Sequence, residues 1–547
     1  MQDIQPPLAA GHRNRVACWK RTFWQHLPSL LAVALVVLII NVRHLNEPPA
    51  YIHAWAQADN YSLALGFLHN GGDLLHPQTM IYNKQQMDFT SEPSLVTACD
   101  LPLHHWLAAG LMAFTGHRAP WVFRGLTLSV SVLGLWALYL LVVLLTRSRL
   151  KALLVASVAA TAPSFAYYSA SFLPTAPALA LALGGLLAYA LHVRKDNTVA
   201  LYISLLLLTL ALLTRTSMAV LWVAVASFHV LRLLRGEAIL RRTWLPFVFG
   251  AVLFVAWQMW NMHLRQRYGS LFLGSLLPVK DWDEAVNVYH NVHDRWRFHY
   301  FLRSQHWLYV LVAVVGLAFC IIRRRRTPQA GQRSLSLWWL LAIWLFGEML
   351  FAFVMLRQFS DHDYYFLDSF FLPLMLLLAG LLTLVPVPQE RWLRWGLTAV
   401  VLLFIVSMTV QSCDMQRVRR QEGVESLQTA VRYKQANRML DKAGFGSRQL
   451  CFLTLFAYPQ NTPFDMMDRE GYAVMWNDTA VVRHALTFDY DYILVEDEVY
   501  RRKFDDAAYI LPRLRRLAGD GELSVCVLSD SVLHADADHF FTTAARK

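Results

Sequence analysis

The sequence predicts a mainly α, polytopic membrane helical bundle of about eleven spans, followed by a small C-terminal α/β domain outside the cytoplasm. Three observations lead there. Charged residues make up only 16% of the 547 residues, and hydrophobic ones 56%, where soluble domains carry about 25% charged residues. Apolar runs of about 20 residues recur along the first three quarters, each able to cross about 30 Å of hydrocarbon as a helix that satisfies its own backbone. Basic residues gather on alternate connections. This pattern excludes a disordered chain, a fibrous repeat and an ordinary cytosolic enzyme. The excess of Lys and Arg, +12 overall, is a topology signal, not a nucleic-acid footprint.

The runs are 29–42, 121–146, 152–168, 175–193, 198–213, 217–234, 244–262, 307–322, 336–356, 366–384 and 392–410. The first follows Arg13, Arg15, Lys20 and Arg21 and lacks a small-x-small cleavage site after it. It reads as a signal anchor with a cytoplasmic N-terminus. If the spans alternate, one side collects Arg147, Arg149, Lys151, Arg194, Lys195, Arg232, Arg235, Arg241, Arg242, Arg323 to Arg326, Arg391 and Arg394. Of Lys and Arg, the long loop 45–120 on the opposite side holds only Lys84 and Arg118. The positive-inside rule places 45–120, 263–306, 357–365 and the chain after 410 outside the cytoplasm of an inner membrane. The chain thus divides into a membrane domain, 1–410, with a long first outer loop at 45–120, and an outer domain, 411–547.

The outer domain is polar, with charged helical stretches and β-rich runs at 450–455, 492–495 and 523–528. Cys451 and Cys526 lie in two of these runs. They are either a disulfide or two buried thiols.

The first outer loop carries the chemistry. Loops of that length are often functional. An amphipathic helix is expected from near Asp59, with Leu63, Leu65, Phe67 and Leu68 as its apolar positions and Gly71-Gly72 as its stop. A second apolar stretch, 103–114, is too short to span and is expected at the membrane surface. Asp59 and Asp100 mark the two pieces. A carboxylate near the membrane plane is costly unless solvated or paired. Asp59 is therefore either a general base for an acceptor hydroxyl or amine, or a helix N-cap.

The loop and its setting resemble the GT-C membrane glycosyltransferases, in the bacterial branch near protein O-mannosyltransferases and the lipid A aminoarabinose transferase. The residues that carry the resemblance are Trp55-Ala56-Gln57-Ala58-Asp59-Asn60-Tyr61 with Gly71-Gly72 and Pro77, then Asp100-Leu101-Pro102-Leu103-His104-His105-Trp106-Leu107 with Phe114-Thr115-Gly116 and Arg124. Asp361-His362-Asp363-Tyr364-Tyr365 before Pro373 is similar to a stretch that opens a late span. Thr462-Pro463-Phe464 and Arg469-Glu470-Gly471-Tyr472 resemble turns of such outer domains. The chain departs from the family at Asn60, where a second acid is common, at Pro174-Thr175, where an acid often follows Pro, and at Arg215-Thr216 in place of Lys-Pro.

The resemblance implies transfer of a sugar from a polyprenyl-phosphate donor to an envelope glycan, lipid or protein, on the periplasmic face and with inversion. Asp59 would be the base, and Asp100 would position the acceptor or share its proton. Negative charge on the departing lipid phosphate calls for cations. Lys84, Arg124, Arg215 and Arg357 are the candidates, although an Arg at a span end also snorkels to headgroups. Trp55, Tyr61, His104, His362, Tyr364 and Tyr365 are candidate pocket residues, against an aromatic-belt reading for the tyrosines. No cofactor is expected, and a divalent metal stays open. His290, His293, Asp294, His299 and His306 form a His-rich stretch that is either ligating or simply wet. The other readings are a transporter or flippase, for which Glu348 inside a span speaks, and an O-antigen ligase or polymerase.

Overall fold

A computed structural model describes residues 9–82, 94–236, 243–272, 274–324 and 337–542. Lys84, Arg241, Arg242, Arg325 and Arg326 lie outside them. Each predicted apolar run becomes helical. Among the described residues, seven helices are long and apolar enough to cross a membrane: Trp24–His44, Pro120–Thr146, Thr175–Lys195, Thr216–Leu234, Leu245–Tyr268, Arg303–Ile322 and Arg391–Arg419. Three shorter apolar helices, Thr198–Thr214, Trp338–Val354 and Phe371–Leu384, fall on the remaining runs but one. That last run, expected as one span at 152–168, is two helices, Arg149–Thr161 and Pro163–Tyr168. Pro163 offers no N–H and its ring excludes the preceding turn, so the helix breaks there. The protein is a multi-pass membrane protein.

Small residues let the helices approach closely. A Cβ at Gly134 would come 2.7 Å from the Ala180 Cα, so Pro120–Thr146 and Thr175–Lys195 cross almost backbone to backbone. Exposed Val, Leu, Phe and Trp side chains, such as Phe249, Leu317, Phe353 and Leu403, cover the outside of the bundle. On a surface facing hydrocarbon they carry no penalty.

The last span does not stop at the expected boundary of 410. It continues as one helix to Arg419, then turns at Gly423 into Val424–Lys442. The outer domain adds a five-stranded sheet in the order β2-β1-β3-β5-β4. Its strands are β1 (Phe452–Leu455), β2 (Gly471–Val474), β3 (Tyr492–Glu496), β4 (Leu514–Gly519) and β5 (Leu523–Leu528). Three of the five were legible as β-rich runs. β2 and β4 were not, because their Gly, Ala and Arg content hides the pattern. Cys451 and Cys526 are free thiols, and Cys526 is buried.

The first outer loop and the outer domain share one core. Tyr61, Leu65 and Met80 from the loop pack with Tyr433, Phe452, Phe464 and Met467 from the domain. The loop also seals the sheet edge: the Tyr82 N–H donates to the Gly471 carbonyl at 2.9 Å, and the Gly471 N–H to the Met80 carbonyl at 3.3 Å. An uncovered edge strand would be open to foreign pairing. Arg469-Glu470-Gly471-Tyr472 is thus the seat of the first loop.

Candidate active site

The helix that carries Asp59 runs Ala54–His69 and is buried along nearly its whole length. It is not amphipathic, because the membrane bundle lies on one side and the outer domain on the other. It begins five residues before Asp59, and its first residue follows His53, held in the left-handed region at φ 53. Asp59 is therefore inside the helix, which removes the N-cap reading. Gly71 (φ 70) and Gly72 (φ 82) end it in the conformation that favours glycine.

Asp59 is 2% exposed. Its Oδ1 accepts a 2.7 Å hydrogen bond from the Asn461 side-chain amide. Burial pushes the carboxyl up to about 7, and the Asn461 bond opposes that rise only in part. The segment around Asn461 closes over the helix, so Asp59 is shut off from bulk solvent in this state.

A second cluster lies at the start of the same helix. Asp363 is fully buried and gathers the Tyr168 hydroxyl at 2.6 Å, His53 Nε2 at 3.2 Å and the Arg419 guanidinium at 2.7 Å. Arg419 reaches it as a charge contact, while another of its nitrogens donates to His299 Nδ1 at 3.0 Å. Burial pushes the Asp363 carboxyl up, but Arg419 and His53 outweigh it and hold the group well below the usual carboxylate range. His53 stacks on His362 with ring centres 5.3 Å apart, and Trp55 meets His362 edge-on at 5.5 Å. Burial, then His53, push the His362 imidazole down to about 3, so it is neutral.

Tyr364 and Tyr365 continue this wall and stack on each other at 5.2 Å. Arg215 sits over them, 5.4 Å from the Tyr364 ring and 5.8 Å from the Tyr365 ring. It donates to the buried Asp368 from Nε at 2.7 Å, yet its side chain stays 20% exposed. Asp100 is close by. It accepts the Thr216 hydroxyl at 2.5 Å and the Thr216 N–H at 3.2 Å, the start of the next helix. Burial raises its carboxyl and Arg215 opposes the rise. The structure thus brings Trp55, His362, Tyr364, Tyr365, Arg215 and Asp100 together, with Asp59 one helical turn beyond Trp55.

The other candidates lie elsewhere. Arg124 is 3% exposed and spends its guanidinium on the Glu47, Ala170 and Pro48 carbonyls. It pins the chain entering the first loop. Tyr61 donates to the Arg118 carbonyl and packs on Phe172 at 4.9 Å. His104 bonds Thr127 at 2.8 Å, and burial pushes it down to about 3. Both anchor the loop to the bundle. Arg357 pairs with Glu284 at 2.8 Å. Among the described residues, no three His, Cys, Asp or Glu side chains converge as a metal site. Glu348 is held by the Trp344 indole N–H at 2.7 Å.

His53, Asp363, Arg419 and Asn461, which the structure places in these two clusters, are not among the candidates the sequence offers. Asp363 lay inside a quoted motif. Arg419 follows an apolar run, where an Arg is ordinarily a snorkelling residue. Nothing local marks Asn461.

A family model described as dolichyl-phosphate-mannose-protein mannosyltransferase matches residues 96–260. ArnT from Cupriavidus metallidurans, bound to undecaprenyl phosphate, superposes with a TM-score of 0.58 at 13% identity, covering 94% of this chain and 100% of that one. The chain has the GT-C fold. It resembles the glycosyltransferases built on that fold, ArnT and the protein mannosyltransferases. The Archaeoglobus fulgidus oligosaccharyltransferase tethered to an acceptor peptide is similar over 90% of this chain and 71% of its own, at 12% identity and a TM-score of 0.51. The same archaeal protein in complex with an inhibitory peptide and a dolichol-phosphate gives 13% and 0.50 over the same 90% and 71%. No curated protein matches the sequence.

Proposed function

We propose that this protein transfers a sugar from a polyprenyl-phosphate carrier to a cell-envelope acceptor on the periplasmic side of the inner membrane, by a single inverting displacement. The N-terminus is then cytoplasmic and the sheet domain periplasmic. The observation that carries the reading is Asp59: a carboxyl shut in an apolar setting, pushed up to about 7, with the neutral Asn461 amide bonded to it. A base with a value near the working pH combines a usable ionised fraction with a strong pull on the acceptor proton.

In the reaction the acceptor oxygen or nitrogen bonds to the anomeric carbon while the bond from that carbon to the phosphate oxygen breaks. The acceptor proton passes to Asp59, and polyprenyl phosphate departs with the electron pair. Arg215, held at the rim by Asp368, balances the charge that grows on the leaving phosphate. Trp55, His362, Tyr364 and Tyr365 offer a stacking wall for a pyranose or furanose ring. Asp100, anchored to the Arg215 turn through Thr216, orients the acceptor. Access to Asp59 requires the segment carrying Asn461 to lift from the first-loop helix.

Asp59→Asn tests this. The amide oxygen can still accept from Asn461, so the fold is kept and only the base is lost. In proteoliposomes containing an undecaprenyl-phosphate sugar, transfer is expected to fall by about 10²–10⁴-fold. Near-normal turnover would move the base role to Asp100.

A further inference from the structure

The outer domain closes on the base with a second acid. Asn461 begins the short helix Thr462–Met467, and Asp465 lies one turn along it. Asp59 and Ser62 lie one turn apart on the first-loop helix. The two helix faces meet: Asn461 donates to Asp59 at 2.7 Å and accepts from the Ser62 hydroxyl at 3.1 Å. Asp465 is 6% exposed, and neither of its carboxyl oxygens has a hydrogen-bond partner. It is therefore a buried acid with no bonded donor, one turn along the helix whose cap residue holds Asp59.

We propose that Asp465 is an un-ionised acid of the outer domain: the docked helix sets it near Asp59, Asp465 keeps its proton and Asp59 is the member that ionises. This deepens the base reading above and rests on it. Two carboxylates in a dry site do not both ionise, and environments that differ decide which one does. Asp59 has the Asn461 amide to stabilise its anion. Asp465 has no bonded donor, with only the Ser62 hydroxyl near enough to turn toward it. The directions agree: burial, reinforced by Asp59, pushes Asp465 well above the usual carboxylate range.

The titratable groups facing the pair are Tyr458, from the loop before the helix, and Tyr61, from the first-loop helix. Burial pushes Tyr458 up to about 12 and raises Tyr61 as well, so both are neutral phenols through the working range. Arg118, Arg124 and Asp468 act on Tyr61. The consequence is structural as well as electrostatic. While Asp465 is neutral, the outer domain docks beside an ionised Asp59 without like-charge repulsion. Once both ionise, the docked state is opposed.

The experiment is an infrared pH titration of the full-length protein in nanodiscs, following the carbonyl stretch of protonated carboxyl groups. Wild type, Asp59→Asn and Asp465→Asn are compared. The expected result is one band lost on raising the pH through about 7, absent in Asp59→Asn, and a second that persists at pH 8 and is absent in Asp465→Asn. In Asp465→Asn the Asp59 midpoint should stay within about 0.3 pH unit, because the group removed was neutral. A midpoint lowered by about one unit, or no second band at pH 8, overturns the proposal. The acid limb of transfer from an undecaprenyl-phosphate sugar gives an independent check and should follow the Asp59 band in both wild type and Asp465→Asn. The base reading fails separately: an active Asp59→Asn removes the base, whatever the infrared bands show.

Discussion

Asp363 and Arg419 form an ion pair with both side chains 0% exposed and 2.7 Å apart. Its loss can be sized from the structure. Removing one partner of a buried pair strands the other charge and costs about 3–5 kcal/mol. Asp363→Asn keeps an acceptor for the Tyr168 hydroxyl at 2.6 Å, which retains about 1 kcal/mol. The Asn variant should therefore lose about 3 kcal/mol, and Asp363→Ala about 5. Arg419→Met strands the carboxylate and should cost a similar amount. The double variant Asp363→Ala with Arg419→Met removes both charges and should recover about 2 kcal/mol or more as coupling energy. Refolding from SDS in mixed micelles, run as a double-mutant cycle, measures this. The pH must be chosen with the sign in mind. The folded Asp363 value is depressed, so its stabilisation is fully present above the unfolded value near 4 and is lost only as pH falls through the lower folded value. Measurement at pH 7 is on the plateau. A loss below about 1 kcal/mol in Asp363→Asn is what an exposed pair gives. It would mean that water reaches Arg419 and that the cluster does not hold the first loop as described.

Transfer activity should fall as pH drops below about 7, because burial raises Asp59 and a protonated Asp59 accepts nothing; an acid limb near 4 in a pH–rate profile would contradict this. Arg215→Gln removes the cation over Tyr364 and Tyr365 and should lower turnover by about 10²–10³-fold, with little change in acceptor KM. Because Asp368 is then left unpaired, Arg215→Gln/Asp368→Asn should refold better than Arg215→Gln while staying slow. At Gly66 an added Cβ would sit 2.0 Å from the Gln78 carbonyl oxygen. Gly66→Ala should therefore push the segment around Gln78 away, cost about 1–3 kcal/mol and raise protease cleavage of the first outer loop; unchanged cleavage would refute that packing.

The local features of the chain were legible without coordinates. The apolar runs, the outer loop with its two acids, the glycine stop after His69 and three of five strands depend on residues close in sequence. So do helix and strand periodicity and turn chemistry, which is why reading along the chain succeeds there. The broken helix at Pro163 was also written locally, but the apolar run around it hid the break.

The site itself depends on contacts between distant segments. Asp59 meets Asn461 across 402 positions, and His53 meets Asp363 across 310. No periodicity encodes such pairs. Residue type alone does not say whether an Arg snorkels, as was open for Arg124, or serves backbone carbonyls, as Arg124 does. Composition and hydropathy determined that this is a multi-pass membrane protein with a long loop after its first span and a polar tail. Only tertiary packing decided that the loop and the tail share one core and that Asp59 is closed off. Burial and the nearest partner set the ionisation of a carboxyl, and both come from residues that the chain brings together only on folding.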